Sequence, residues 1–180
     1  MTDNSIWSRR IAVDDVPEEG LRVDMTADAG VRAALAQTAG LRDLPRLDAQ
    51  FDLTRRGRNG LHVVGEVSAL VGQNCVVTLE PIEKNLLEPI DLVFTPEQTP
   101  GPGDIESEIS LGLSEAEPPE PLSGGAVDLG AIATEYFLLG IDPYPRKDGA
   151  VFESGPNEDS APKPFAALAA LKKPPKGGSE

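Results

Sequence analysis

Between Leu47 and Val71 the chain alternates so strictly that few folds can accommodate it. Leu47, Ala49, Phe51 and Leu53 alternate with Asp48, Gln50, Asp52 and Thr54. Successive side chains of a strand point to opposite faces, so this pattern makes one apolar face and one polar face. Arg56-Gly57-Arg58-Asn59-Gly60 follows, a turn sequence containing Asn-Gly, the strongest short signal for a hairpin. Leu61, Val63, Val67, Ala69 and Val71 then continue the apolar face on a partner strand. Any fold of this chain must cover that face. Gly72-Gln73-Asn74 predicts a further turn into Cys75, Val77 and Leu79, and Pro81 to Asn85 another into Leu86, Ile90, Leu92 and Phe94. The expectation is an antiparallel meander of four short strands.

The flanks supply the cover. Ile6 to Val13 reads as a strand, and Leu21, Val23 and Met25 alternate in a second one. Thr26 is a fair N-cap for a helix bearing Val31, Leu35 and Thr38, with Gly40 as its stop. Asp128 to Gly140 predicts a second helix, with Leu129, Ile132, Tyr136 and Leu139 on one face and Pro143 and Pro145 barring its continuation. From Glu97 to Gly125 there are seven acids, no Lys or Arg, and dense Pro and Gly, the composition of a mobile acidic loop. The fold class read from these segments is α+β: a curled antiparallel β-meander with two packing helices, an acidic loop and a flexible C-terminal tail. Residues 1–153 make one domain that includes the loop 97–125, and 154–180 make a tail carrying a short apolar motif at 165–171.

Charge narrows the partners. Sixteen Lys and Arg against thirty Asp and Glu give a net charge of −14, which repels a polyanion at long range and favours basic partners. Cys75 is the only cysteine, so neither an intrachain disulfide nor a cysteine zinc cage can form. Met1 to Arg10 lacks the apolar core of an export signal, and no apolar run is long enough to span a bilayer. A cytoplasmic protein with no membrane association is expected.

Three segments carry a resemblance. They are G-E-V-S-A-L-V-G-Q-N-C-V-V-T-L-E-P-I from Gly65 to Ile82, D-L-G-A-I-A-T-E-Y-F-L-L-G-I-D-P-Y-P-R from Asp128 to Arg146, and P-K-P-F-A-A-L-A-A-L-K-K from Pro162 to Lys173. In this order and spacing they resemble the YceD family, the large ribosomal RNA subunit accumulation proteins. The resemblance implies a factor needed for large-subunit ribosomal RNA to accumulate, and it brings no catalytic residue. Many members carry Cys-x-x-Cys at the central turn, whereas here Cys75 is followed three residues later by Thr78. Metal or redox work by such a pair is not available to this chain.

Most of the individual residues that invite a functional role also have a plainer one. Cys75 reads as a small buried hydrophobe on the alternating face, and His62, the single histidine, as an exposed strand residue without a metal or catalytic partner. Gly124-Gly125 lacks the Gly-Lys-Ser/Thr of a phosphate loop, and Asp128 takes the N-cap, so no nucleotide site or other cofactor is expected. Arg55, Arg56 and Arg58 gather three guanidinium groups at a hairpin tip, suited either to a solvated turn or to ribosomal RNA phosphate. Glu135 on the second helix and Pro143, Tyr144, Pro145 and Arg146 after it belong to the resembling segments and are candidate partner contacts. Phe165, Leu168 and Leu171 fall three residues apart and Lys172 follows, a short amphipathic motif that fits a groove on a partner.

The reading that results is a ribosome biogenesis factor working by protein-protein contact with a basic large-subunit ribosomal or assembly protein, with limited RNA contact. It is not an enzyme, and no small-molecule substrate is expected. A rival is direct RNA binding by the sheet and the arginine tip, although only 4% of residues are aromatic and Phe51 and Phe94 lie on apolar faces. An RNA-processing enzyme is the third reading, and it lacks a metal cluster, a cofactor loop or a nucleophile-base pair.

Overall fold

The computed structural model describes residues 5–57, 59–96 and 119–152. Its elements, in chain order, are β1 (Arg10–Ala12), β2 (Leu21–Thr26), α1 (Ala29–Thr38), β3 (Asp43–Arg56), β4 (Gly60–Asn74), β5 (Pro81–Pro96), β6 (Glu120–Leu122), β7 (Ala126–Asp128) and α2 (Leu129–Leu139). The α+β class is as expected.

The β3–β4 hairpin forms where the alternation and the Asn-Gly turn place it. Leu47 lies opposite Ala69, Ala49 opposite Val67, and Leu53 opposite Val63, and all six are buried. Gly57 takes a φ of 65°, which the turn needs and a side chain would resist. Phe51 faces Gly65, where a Cβ would stand 2.2 Å from the Gln50 carbonyl and 2.9 Å from the Phe51 ring, so the ring covers the site that glycine leaves bare. β2 adds antiparallel to the other side of β3, and β5 to β4. The order is β2-β3-β4-β5-β6, with β6 parallel to the end of β5, and β1 pairs separately with β7.

Several expected boundaries shift. The central section has three long strands rather than four short ones: Cys75 to Glu80 is the turn, and Pro81 to Asn85 is paired strand rather than turn. The alternation of Cys75, Val77 and Leu79 imitates a strand. Yet the Cys75 N–H donates to the Glu80 carbonyl at 2.8 Å and the Leu79 N–H to the Cys75 carbonyl at 2.9 Å, closing a loop instead. Leu79 has a φ of 61° and is 77% exposed. Prolines are tolerated in β5 because Pro81 is its first residue and Pro89 lies where β6 does not reach.

The first strand is shorter than Ile6 to Val13. It ends at Ala12 in a single 3-10 turn, and Trp7, Val13 and Val16 are buried in the hydrophobic core. Asp28, not Thr26, caps α1, its carboxylate accepting from the Val31 N–H at 2.9 Å. Thr26 instead ends β2 and donates its hydroxyl to Asp48. At the other end Gly40, with φ 63°, and Leu41 return their N–H groups to Gln37 and Ala36, which satisfies carbonyls the helix leaves open. Thr38 is exposed.

α2 has the predicted cap: the Asp128 carboxylate accepts from the N–H groups of Gly130 and Ala131. Its buried stripe is Leu129, Ile132, Ala133 and Phe137, with Tyr136 half-buried. Leu139, expected on that face, is 74% exposed, because the stripe centres nearer Ala133 and Phe137 and Leu139 stands at its margin in the last turn. Gly140 is right-handed, with φ −77°, and its need is space: a Cβ would lie 2.5 Å from the Glu88 side chain.

Part of the expected acidic loop is ordered. Residues 120–122 form β6, Leu122 is buried, and a short turn leads directly into β7. Residues 97–118 and the tail from 153 lie outside the described residues. Both helices cover the apolar face, α1 over β3 and α2 over β4 and β5. Burying each large apolar side chain there contributes about 1.5–3 kcal/mol before ordering costs.

Candidate functional site

Two of the three resembling segments meet at one end of the sheet. Asp142 to Lys147, which leave α2, pack against the turn from Cys75 to Glu80. The Val76 N–H donates to the Pro145 carbonyl at 2.9 Å, and Pro145 is buried. Lys147 Nζ reaches Glu80 at 2.8 Å, while Lys84 Nζ meets Asp142 at 3.0 Å and Gln73 donates to the Asp142 carbonyl. Two segments nearly seventy residues apart in sequence are thus joined by backbone and charge. The Lys147 pairing holds the Glu80 carboxyl below its usual range and raises the Lys147 ammonium. At Asp142 the Tyr144 N–H, then Lys84, lower the carboxyl in the same way.

Cys75 sits at the centre of this junction. It is fully buried, as expected, but it belongs to a turn and its sulfur accepts hydrogen bonds. Backbone N–H groups of Lys147 at 3.3 Å, Val77 at 3.4 Å and Thr78 at 3.4 Å all point at Sγ. The Lys147 N–H foremost, then Thr78, bring the thiol down to about 6, against the opposing effect of burial. Thr78 turns its hydroxyl to Glu80 at 3.2 Å. No group of three or more metal-ligating side chains occurs among the described residues.

The other predicted residues separate. Arg55 is not free for phosphate: its guanidinium donates to the Val16 carbonyl and, at 2.9 Å, to the Asp14 carbonyl, tying the hairpin to the turn after β1. Arg56 is exposed at the hairpin end, and Arg58 lies outside the described residues. Glu135 is exposed on α2, away from the buried stripe. Tyr144 is 73% exposed, and Pro143 and Arg146 are exposed beside it. Phe165, Leu168, Leu171 and Lys172 lie outside the described residues. His62 pairs across the sheet with Asp91 at 2.7 Å.

Sequence reasoning missed Lys147 and Glu80. Opposite charge was visible, but no local periodicity links positions that meet only through the fold. The one available hint was Pro81 directly after Glu80, which favours a turn ending there.

Together these features define an acidic α+β domain whose sheet is covered on one side and whose helical exit is locked to a cysteine-centred turn. A family model described as "Large ribosomal RNA subunit accumulation protein YceD" matches residues 63–172, more than half of the 180-residue chain. The chain belongs to that family. The match contains the segments 65–82 and 128–146 whole and the third up to Lys172, and the family's name ties it to accumulation of large-subunit ribosomal RNA. No curated protein and no solved structure matches the chain.

Proposed function

We propose that this protein supports large-subunit ribosome biogenesis in the cytoplasm by contact with a basic ribosomal or assembly protein, without enzymatic chemistry of its own. The net charge of −14 is the observation that carries the mode of action, since it opposes phosphate and attracts cationic protein. The junction around Cys75 fits a structural role, holding Tyr144 and Arg146 at a fixed place on the surface. The tail motif Phe165, Leu168 and Leu171, with Lys172, is a second partner contact in this reading.

Direct RNA binding draws less support from the geometry. Phe51 is fully buried and Phe94 packs against the core, which leaves no aromatic platform for base stacking there. Arg55 spends donors on backbone carbonyls, so the tip offers fewer free N–H groups to phosphate than its sequence suggests.

Affinity capture of the tagged full-length protein from growing cells, with and without ribonuclease, tests the proposal. Large-subunit proteins retained after ribonuclease are the expected result. Their loss on ribonuclease treatment, together with submicromolar binding of purified ribosomal RNA fragments, would favour the RNA reading.

A further inference from the structure

The sheet has a second face, and its two halves differ. Outward positions on β2 and β3 are polar, and their charges are largely paired. Arg22 lies near Asp24 and Asp52 at 3.8 and 3.6 Å, and Arg46 near Asp48 at 3.2 Å. This is an ordinary solvated face. On β4 and β5 the outward positions instead include Val64, Leu70, Leu87, Pro89 and Val93.

The register arranges these residues. Leu87 pairs with Ser68 and Asn85 with Leu70, so Leu70 and Leu87 are diagonal neighbours. Val64 pairs with Asp91 and His62 with Val93, which makes Val64 and Val93 diagonal neighbours too. Between them Pro89 lies opposite Glu66. Val64 is 40% and Leu87 61% exposed. Glu66 is exposed and belongs to none of the ion pairs among the described residues, while Asp91 holds only His62. The result is an apolar strip two strands wide that carries the unpaired carboxylate of Glu66 and, beside it, the His62-bound carboxylate of Asp91. No described element covers it, because α1 and α2 both pack on the opposite face.

We infer that the outward β4–β5 face, centred on Glu66 and Leu87, is where the basic partner docks, and that the partner presents a Lys- or Arg-rich protein segment with two or more large apolar side chains. This rests on the functional reading above and places its contact. The Glu66 carboxylate, which belongs to none of the ion pairs among the described residues, and the net charge of −14 set the charge of the partner, and the flanking apolar pairs supply area that a purely polyelectrolyte contact would leave unused. A phosphate backbone meets the wrong sign here.

The test uses the full-length chain and, as probe, the RNA-free proteins extracted from purified large subunits, joined by a zero-length carboxylate-to-amine cross-linker and mapped by mass spectrometry. Cross-links from Glu66 or Asp91 to lysines of an identified large-subunit protein are expected. Its affinity should fall at least about tenfold in the double variant Glu66→Lys with Leu87→Ser, both exposed positions, while Leu139→Ser on α2 retains it. Unchanged melting temperatures show that both variant proteins remain folded. Binding unaffected by the double variant would overturn the docking face and leave the proposed function standing. No binding by the unaltered chain would overturn both. Cross-links from Glu66 or Asp91 to the chain's own Lys172 or Lys173 would assign the face to its tail and overturn the partner.

Discussion

Cys75 shows how much one side chain can depend on distant backbone. The thiol is brought down to about 6 by N–H groups of its own turn and of Lys147, so the thiolate is favoured by the fold and not by the unfolded chain. The folded value lies below the ordinary one, so the stabilisation is complete above the unfolded value of 9.0 and disappears as pH falls through about 6. Cys75→Ala is therefore expected to cost more stability at pH 9 than at pH 6, as read by urea unfolding across that range. An equal cost at both would show that the sulfur serves only as packing volume. Gly65 makes a sharper demand. A methyl group there meets the Gln50 carbonyl at 2.2 Å, so Gly65→Ala should destabilise by about 1–3 kcal/mol or more, with the loss visible in the denaturation midpoint.

At the scale of elements, what could be read from sequence was what local periodicity controls. The β3–β4 hairpin followed from alternation and Asn-Gly, and α2 from its Asp128 cap and apolar spacing. The β4–β5 turn was misplaced because Cys75, Val77 and Leu79 keep the strand rhythm, and what breaks it is a set of hydrogen bonds that includes Pro145 and Lys147. β6 was hidden because three residues in an acidic, proline-rich stretch give no periodic signal; they pair with β5, and Leu122 is buried. Phe137 was overlooked although it lies at the centre of the α2 stripe. Phe137→Ala should cost about 3–5 kcal/mol, against a small effect for Leu139→Ala, measured as shifts in chemical denaturation. Removing the Asp128 cap should cost about 0.5–2 kcal/mol from the helix alone. The true loss should lie toward the upper end, since the same carboxylate also accepts from Ser8 and the Arg9 N–H.

For the whole molecule, charge and topology set the terms. With a net charge of −14, self-repulsion opposes the compact state, so added sodium chloride should raise the melting temperature while weakening the attraction to a cationic partner. Calorimetry and binding titrations over the same salt series would separate the two effects, and a melting temperature that fell with salt would mean that the surface ion pairs outweigh the repulsion. The pairing of β1 with β7 has a further consequence in time. Arg10 lies opposite Asp128, and Ile11 opposite Val127, so the strand synthesised first has its partner only after more than a hundred further residues have been made. During translation Trp7 and Ile11 must wait, exposed, while the β2–β5 section forms ahead of them. Nascent chains stalled with residue 120 just outside the tunnel should be cut readily before Leu21 by a protease. Those stalled with Gly140 outside should resist, because β7 and the start of α2 are what fasten the beginning of the chain.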